Sequence, residues 1–225
     1  MRVIVVRHHE EDSAGLIGAA FEARGAQLDV RLFPQDGPLP GPAVADHIVL
    51  LGATWSVYDE HPDRAWIAAE LAWLRRADAA GVPVLGICFG AQALAAAFGG
   101  EVKPAARKEV GWVRVDTLDP QVIEPGPWLE FHGDQCHLPP QARLLASNEL
   151  CVQAFALGRH LAVQFHPEVD RAQLGAWMDA GARADARKVG LDPDRFLAET
   201  LAQEPAARAR ADRLVAAALH LARTA

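Results

Sequence analysis

Four short apolar runs alternate with helical patterns, and this alternation constrains the fold of the chain more than any other feature. The runs lie at residues 3–6, 28–32, 47–51 and 83–87, and apolar residues recur with helical spacing over residues 13–24, 62–80 and 91–98. A run that is apolar throughout, as at residues 3–6, is typical of a parallel sheet covered on both faces. We therefore predict an α/β fold with a doubly wound, mostly parallel central sheet and helices on both faces.

Local signals predict where these elements end. Ser13 is expected to cap the first helix, because its hydroxyl can accept a hydrogen bond from a backbone N–H of the first turn. Gly25 and Gly81 are expected to end the first and second helices, and Gly99 with Gly100 to end the third.

The second half of the chain has shorter apolar runs. Over residues 102–165 some strands are expected to be antiparallel, and Gly158 with Arg159 is predicted to form a hairpin turn. Helices are predicted at residues 171–183 and 206–223, with a short helix after Pro193. We expect residues 1–184 to form the main domain and residues 185–225 to form a helical C-terminal extension, packed on that domain or appended to it.

Composition excludes several classes of partner. The formal charge is −7 and the sequence contains no Lys/Arg-rich run, which argues against nucleic acid as a primary partner. No apolar stretch reaches the ~18 residues that a membrane span requires. The three cysteines, Cys88, Cys136 and Cys151, are too few for a disulfide framework, so a reducing cytoplasm is the expected location.

The segment around Cys88 carries the clearest chemical signal. A strand, a G-x-C-x-G pattern from Gly86 to Gly90 and a helix follow one another here, and small residues on both sides of a nucleophile permit a sharp strand-to-helix turn. The helix N-terminus favours the thiolate, and the Phe89 N–H is free to face an oxyanion. A buried core cysteine beside incidental glycines is the alternative interpretation of this segment taken alone.

A second segment supplies the partners that a thiol nucleophile needs. His166 follows an apolar run, and Glu168 lies two residues further on. A histidine base activates the thiol, and a carboxylate orients the base. A surface His-Pro-Glu loop is the alternative interpretation.

The two segments together resemble the motifs of the class I (triad) glutamine amidotransferases. The matching residues are G-I-C-F-G-A-Q at 86–92 and F-H-P-E at 165–168, and the similarity extends to residues 45–52 and to F-H-G-D at 131–134. R-H-H-E at 7–10 and S-V-Y-D at 56–59 resemble stand-alone members closest to the glutaminase domain of GMP synthase. The resemblance covers roughly residues 1–178 and implies a flavodoxin-like arrangement of the main domain.

The resemblance also implies a reaction and a set of residues. Cys88, His166 and Glu168 would form the catalytic triad that hydrolyses the glutamine amide through a thioester to glutamate and ammonia. The oxyanion would be held at Gly52, Ala53 and Phe89. The glutamine pocket would be lined by Gln92, His132, Gly133, Asp134 and Trp55. No cofactor and no metal are predicted, and the ammonia would pass to an acceptor on a separate synthase subunit, because no P-loop or pyrophosphatase motif is present.

Two features of the sequence complicate this picture. The family usually has a second glycine where this chain has Ala53, and a Cβ disfavours the positive φ that glycine tolerates. The cluster at residues 8–12, H-H-E-E-D, could bind a metal, but we interpret it as a solvated loop in which His9 can border the pocket.

Two alternative functions stay open. The same triad would serve a hydrolase of γ-glutamyl peptides or γ-glutamyl amides, which requires no acceptor subunit. A non-catalytic binding subunit with the same fold is the other alternative, and Ala53 is the residue that favours it.

Overall fold

The computed structural model describes residues 1–224 and has a central eight-stranded sheet and a separate two-stranded sheet. The strands are β1 (Arg2–Arg7), β2 (Gln27–Leu32), β3 (His47–Leu50), β4 (Val84–Ile87), β5 (Glu101–Val113), β6 (Asp116–Thr117), β7 (Trp128–His137), β8 (Arg143–Ser147), β9 (Val152–Leu157) and β10 (His160–Val163). The helices are α1 (Gly15–Glu22), α2 (Trp66–Ala79), α3 (Phe89–Ala97), α4 (Arg171–Trp177), α5 (Arg183–Lys188) and α6 (Pro193–Thr224).

The predicted doubly wound, mostly parallel sheet is confirmed. The strand order is β2-β1-β3-β4-β10-β9-β8-β6, and the first five strands run parallel to one another. The carboxyl ends of β1, β3, β4 and β10 therefore meet at one edge of the sheet, which is where open α/β sheets bind ligands.

Alternating side chains of the central strands fill two cores on opposite faces of the sheet. Val3 and Val5 of β1 pack with α1 and α6, whereas Ile4 and Val6 pack with α2 and α3. Because both faces are covered, every residue of β3 and β4 is buried.

The antiparallel region also matches the prediction. Strands β10, β9, β8 and β6 pair antiparallel in succession, and β5 pairs antiparallel with β7 in the second sheet. Gly158 and Arg159 join β9 to β10 as a two-residue turn, with Gly158 at φ +53°. The strand ends at Val163, which leaves Phe165 in the loop that follows.

Three local predictions are wrong. Ser13 does not cap α1: that helix begins at Gly15, and the Ser13 hydroxyl instead donates a hydrogen bond to Gln173 across the fold. The helix predicted at residues 171–183 is interrupted, because Gly181 adopts φ +125° between α4 and α5. The two C-terminal helices are one, since α6 runs through Pro205.

Tertiary packing accounts for the continuity of α6. Proline in a helix interior removes one hydrogen bond and crowds the preceding turn, so its sequence signal is a break. Beyond Pro205, however, the apolar face of α6 joins the core that also contains α1; its buried members there are Ala207, Ala211, Leu214, Val215 and Ala218. The division of the chain at residue 184 stays a prediction, and its last residue, Ala225, lies outside the described part.

Within the described residues, none of the helices combines the length and the apolar character that crossing a membrane requires.

Candidate active site

Cys88 lies at the sharp turn between β4 and α3. Its φ of +52° and ψ of −107° make it the one non-glycine residue with positive φ among residues 1–224. Such a conformation is costly for a residue with a Cβ and persists only where the surroundings impose it. The Cys88 N–H donates a hydrogen bond to the Val163 carbonyl at 2.8 Å, which ties the turn to β10.

The two glycines of the G-x-C-x-G pattern are required by close backbone approach. A Cβ on Gly86 would lie 2.5 Å from the Gly90 carbonyl oxygen, and a Cβ on Gly90 would lie 2.1 Å from the Leu50 carbonyl oxygen. Neither space admits a methyl group. The pattern therefore reflects a packed turn and not incidental glycines.

His166 and Glu168 form a buried pair beside Cys88. His166 Nδ1 lies 2.7 Å from Glu168 Oε1, and the side chains are almost inaccessible to solvent. The His166 N–H donates to the Leu129 carbonyl at 2.8 Å, and the Trp177 ring packs edge-on against the imidazole. Burial lowers the pKa of His166, but the charges of Glu168 and Cys88 and hydrogen bonds to both raise it well above its ordinary value.

Gly52 brings the loop after β3 against both reacting groups. A Cβ at this position would lie 3.1 Å from His166 Cε1 and 3.7 Å from Cys88 Cβ. Ala53 does not adopt positive φ, so its Cβ causes no backbone strain. Phe89 is the first residue of α3, and its N–H therefore has no acceptor within the helix.

The solvated loop predicted for residues 8–12 is wrong for His8 and Asp12, which are buried. His8 Nδ1 lies 2.9 Å from the Gly52 carbonyl oxygen, and its Nε2 lies 3.1 Å from the buried Glu70. Burial raises the pKa of Asp12, whose carboxylate accepts a hydrogen bond from Trp177. His8 thus fixes the Gly52 loop, a role that depends on residues 44 and 62 positions away.

A cleft of about 850 Å³ opens at this edge of the sheet. Every residue predicted to bind substrate lines it, namely Trp55, Gln92, His132, Gly133 and Asp134, together with Cys88, Gly52, Ala53 and His166. Gln92 donates a hydrogen bond to Gln164 at 3.1 Å, and His9 stacks on Trp55 with ring centroids 4.6 Å apart.

Asp134 is held by the loop that follows Gly52. Its carboxylate accepts hydrogen bonds from the Ser56 hydroxyl at 2.5 Å and the Tyr58 hydroxyl at 2.9 Å. These contacts join the 52–59 loop to β7 across the cleft.

Beneath the cleft, His132 belongs to a buried cluster of charged side chains that was not predicted from the sequence. His132 donates from Nδ1 to the Asp134 carbonyl at 2.8 Å, and its Nε2 lies 3.1 Å from Glu109 and 3.4 Å from Glu130. Burial opposes the imidazolium, yet the hydrogen bond to Glu109 and the charge of Glu130 raise the pKa of His132 to about 10. Burial raises the pKa of Glu130 to about 7.

The alternation of residues in β7 could have indicated that Glu130 and His132 lie together, but not their contact with Glu109 of a distant strand. Glu130 and His132 are two residues apart, so their side chains lie on the same face of β7. Glu109 of β5 lies directly opposite His132 where the two strands pair. Donor atoms of Glu109, His132 and Cys151 lie within 4.8 Å of one another and are the group in the described residues that could hold a metal ion. His132 Nε2 is already engaged by the two carboxylates, which makes an ion-pair network the simpler account.

The known proteins to which this chain is similar agree with one another in the family that they indicate. Residues 16–178 match the family model described as glutamine amidotransferase class-I. The chain is 34% identical over 182 residues to the GMP synthase [glutamine-hydrolyzing] of Albidiferax ferrireducens, covering 69% of this chain and 31% of that protein. It spans between 22% and 31% of the length of the curated relatives that it matches.

Solved structures extend the comparison over almost the whole chain. A glutamine amidotransferase from Thermotoga maritima superposes with a TM-score of 0.87 at 25% identity, covering 97% of this chain and 98% of that one. A protein from Thermoplasma acidophilum, described as a putative subunit of GMP synthase, gives a TM-score of 0.60 at 25% identity, covering 84% and 96%. The chain belongs to the class I glutamine amidotransferase family.

Proposed function

We propose that this chain hydrolyses the side-chain amide of glutamine through a thioester on Cys88 and delivers ammonia to an acceptor. The observation that carries the proposal is the convergence of three features in one cleft. They are the turn at Cys88, the buried His166–Glu168 pair and the Gly52 loop that touches both. A nucleophile, an oriented base and a loop that can offer backbone N–H groups beside them are what acyl transfer from an amide requires.

The reaction proceeds in two steps. The Cys88 thiolate attacks the amide carbon, and the oxyanion accepts hydrogen bonds from the N–H groups of Phe89 and Ala53. His166 protonates the departing nitrogen as the C–N bond breaks, so ammonia leaves and a γ-glutamyl thioester remains. His166 then takes a proton from water, whose hydroxide displaces Cys88 and releases glutamate. Glu168 holds the imidazole in the required tautomer.

We assign the binding of different parts of glutamine to different residues of the cleft. In this proposal Asp134 pairs with the α-ammonium group, and Gln92, Gly133 and Trp55, which line the cleft, form the walls of the glutamine pocket. His132 holds the Asp134 backbone through its Nδ1.

A synthase is the partner that the relatives favour. Several of them are named GMP synthase, and one structural relative is described as one subunit of that enzyme. We infer that ammonia formed at Cys88 passes to a separate acceptor protein. Residues 1–184 supply the glutaminase site in this proposal, and residues 185–225 form its helical extension.

Covalent trapping of Cys88 tests the proposal most directly, since glutaminase activity can require the partner. A glutamine analogue with a diazoketone side chain should label Cys88 with one equivalent, located by peptide mass spectrometry. Cys151→Ala is the matched control, because burial raises the pKa of the Cys151 thiol and leaves it unreactive. Labelled Cys88→Ala, or a folded wild type that resists the analogue, would contradict the proposal and favour a non-catalytic binding subunit.

Hydrolysis of γ-glutamyl peptides or γ-glutamyl amides is a second candidate, and the size of the cleft favours it. A volume of about 850 Å³ is in the upper part of the range for pockets that hold drug-sized ligands, so it leaves room beyond glutamine itself. Turnover of a panel of γ-glutamyl amides and dipeptides, compared with free glutamine, distinguishes the two. Preference for the larger compounds would replace the first candidate by the second.

A further inference from the structure

The active-site cleft has a wall to which the reaction proposed above assigns no part of the substrate. It is formed by the loop after β1, the end of α4 and the segment between α4 and α5. We call it the α4 wall, and the residues with which it lines the cleft are Glu11, Asp12, Trp177, Ala180, Gly181 and Ala182. Gln173 of α4 donates a hydrogen bond to the Glu11 carbonyl at 2.6 Å, which ties the loop to the helix.

The α4 wall lies beside His166, the residue that protonates the departing nitrogen in the proposed reaction. The Trp177 ring packs edge-on against the His166 imidazole, with ring centroids 5.0 Å apart. The Trp177 Nε1–H donates a hydrogen bond to Asp12 Oδ1 at 2.9 Å. One indole ring therefore separates the proton donor of the reaction from the Asp12 carboxylate.

Asp12 is the unusual group in this wall. Its residue is only 9% exposed, and the hydrogen bond from Trp177 occupies one of its two carboxylate oxygens. The other oxygen, Oδ2, accepts no hydrogen bond from residues 1–224, and it is not sealed from solvent, because Asp12 lines the cleft. A carboxylate removed from water in this way is costly unless a cation or further donors complete its environment.

The cations of the protein do not complete that environment. Lys108 is the one lysine or arginine that lines the cleft, and its Nζ lies 3.3 Å from Asp185. Arg7 donates to the backbone carbonyl of Asp12 at 3.0 Å and not to its carboxylate. Glu11 adds a second acidic side chain to the same wall. The α4 wall thus combines an apolar indole face with uncompensated negative charge.

The two imidazoles whose charges act on Asp12 are engaged with other partners. His166 pairs with Glu168, and His9 Nε2 lies 3.0 Å from the Thr54 hydroxyl. Neither ring forms a hydrogen bond with the Asp12 carboxylate within the part of the chain that the structure describes. A positively charged ligand group is therefore the partner that the free oxygen lacks.

We propose that the α4 wall is a subsite for a cationic substituent on the substrate amide, so that the chain hydrolyses γ-glutamyl amides of diamines. The methylene chain lies along the Trp177 ring, and the distal ammonium group donates a charge-assisted hydrogen bond to Asp12 Oδ2. The inference rests on the proposed function, because the thioester reaction orients the substrate. The amide C–N bond breaks as before, and the diamine leaves with the proton from His166 where glutamine would release ammonia.

Two compounds of matched shape test the role of the charge. The γ-glutamyl amides of a four-carbon diamine and of n-pentylamine differ in one terminal group, an ammonium in the first and a methyl in the second. Calorimetric titration of the full chain carrying Cys88→Ala measures both affinities without turnover. The cationic amide should bind about tenfold more tightly or better, as expected for a hydrogen bond between charged groups.

Asp12→Asn in the same Cys88→Ala background keeps the shape of the side chain and removes its charge. The ratio of the two affinities should then fall to about one. Glu10→Gln is the matched control, because Glu10 is an exposed carboxylate of the same loop that does not line the cleft. The ratio should be unchanged in this control.

A third compound tests the proposal without any change at Asp12, which matters if Asp12→Asn does not fold. The γ-glutamyl amide of a four-carbon amino acid ends in a carboxylate at the position of the ammonium. Because it would face Asp12 and Glu11, this anionic amide should bind more weakly than both of the other compounds.

The possible outcomes separate this inference from the proposal for Cys88. Equal affinities of the cationic and neutral amides, a preference for the anionic one, or no binding of the cationic amide up to about 10 mM overturns the inference. A preference that persists in folded Asp12→Asn also overturns it, because the ammonium would then bind elsewhere. If the preference is found but Cys88 of the wild type resists the diazoketone analogue, the subsite stands and the glutaminase proposal does not.

Discussion

His166 Nδ1 lies 2.7 Å from Glu168 Oε1, and both side chains are buried against the turn that carries Cys88. Pro167 between them leaves the chain little freedom, so two neighbours in the sequence present their side chains to one another. Within this pair the carboxylate acts on the imidazole in two ways: it fixes the tautomer and it raises the pKa of His166.

Replacing Glu168 by glutamine should lower the pKa of His166, because burial then acts without the compensating charge. NMR titration of the imidazole measures this change. Loss of an oriented base should also reduce turnover of glutamine about 100-fold or more. Glu10→Gln, at an exposed carboxylate, is the matched control.

The same pair makes stability depend on pH. Because the folded pKa of His166 exceeds the unfolded value of 6.5, its stabilisation is complete below pH 6.5. That stabilisation is lost as pH rises through the folded pKa.

An unchanged NMR titration of His166 in Glu168→Gln would show that the pair is not coupled as the geometry indicates.

Gly90→Ala should destabilise the chain by about 3 kcal/mol or more, because its Cβ would lie 2.1 Å from the Leu50 carbonyl oxygen. Urea unfolding measures the change. Gly175→Ala is the matched control within α4, where a Cβ meets open space. It should be stabilising by about 0.5–1 kcal/mol, since alanine is the better helix former. Equal effects of the two substitutions would be inconsistent with a tightly packed turn at Cys88.

Glu130→Gln should flatten the dependence of stability on pH. The pKa of Glu130 is raised from 4.5 to about 7, so its contribution is complete below pH 4.5 and is lost as pH rises through about 7. Relative to wild type, the variant should gain about 3 kcal/mol in unfolding free energy between pH 4 and pH 8. Urea unfolding at both pH values, with the exposed Glu22→Gln as control, checks the difference. A pH-independent difference would mean that Glu130 is ionised throughout.

Tyr58→Phe should raise the KM for glutamine about fivefold and leave kcat unchanged. The Tyr58 hydroxyl donates to the Asp134 carboxylate at 2.9 Å, and because this contact is exposed to solvent we expect it to contribute about 1 kcal/mol. Steady-state kinetics with the active protein separates the two constants. A fall in kcat with constant KM would instead place this contact in the chemical step.

The parallel half of the fold was predictable because its signals are local. Buried strands covered on both faces must be apolar throughout, and helices facing them must repeat their apolar residues with helical spacing. The turn at Cys88 was predictable for the same reason, since the two glycines that it needs lie two residues on either side of the cysteine. His166 and Glu168 are equally close in sequence.

The tertiary structure alone decided the features that depend on distant partners. His8 fixes Gly52 from 44 residues away, and Glu109 reaches His132 across 23 residues. Helix α6 continues through Pro205 because its apolar face packs on the core, and Ser13 contacts Gln173 instead of the helix that follows it. A local sequence pattern predicts which secondary structure a segment favours by itself. Whether a buried polar side chain is paired, or a proline is tolerated, depends on the free energy of contacts that exist only once the sheet has assembled.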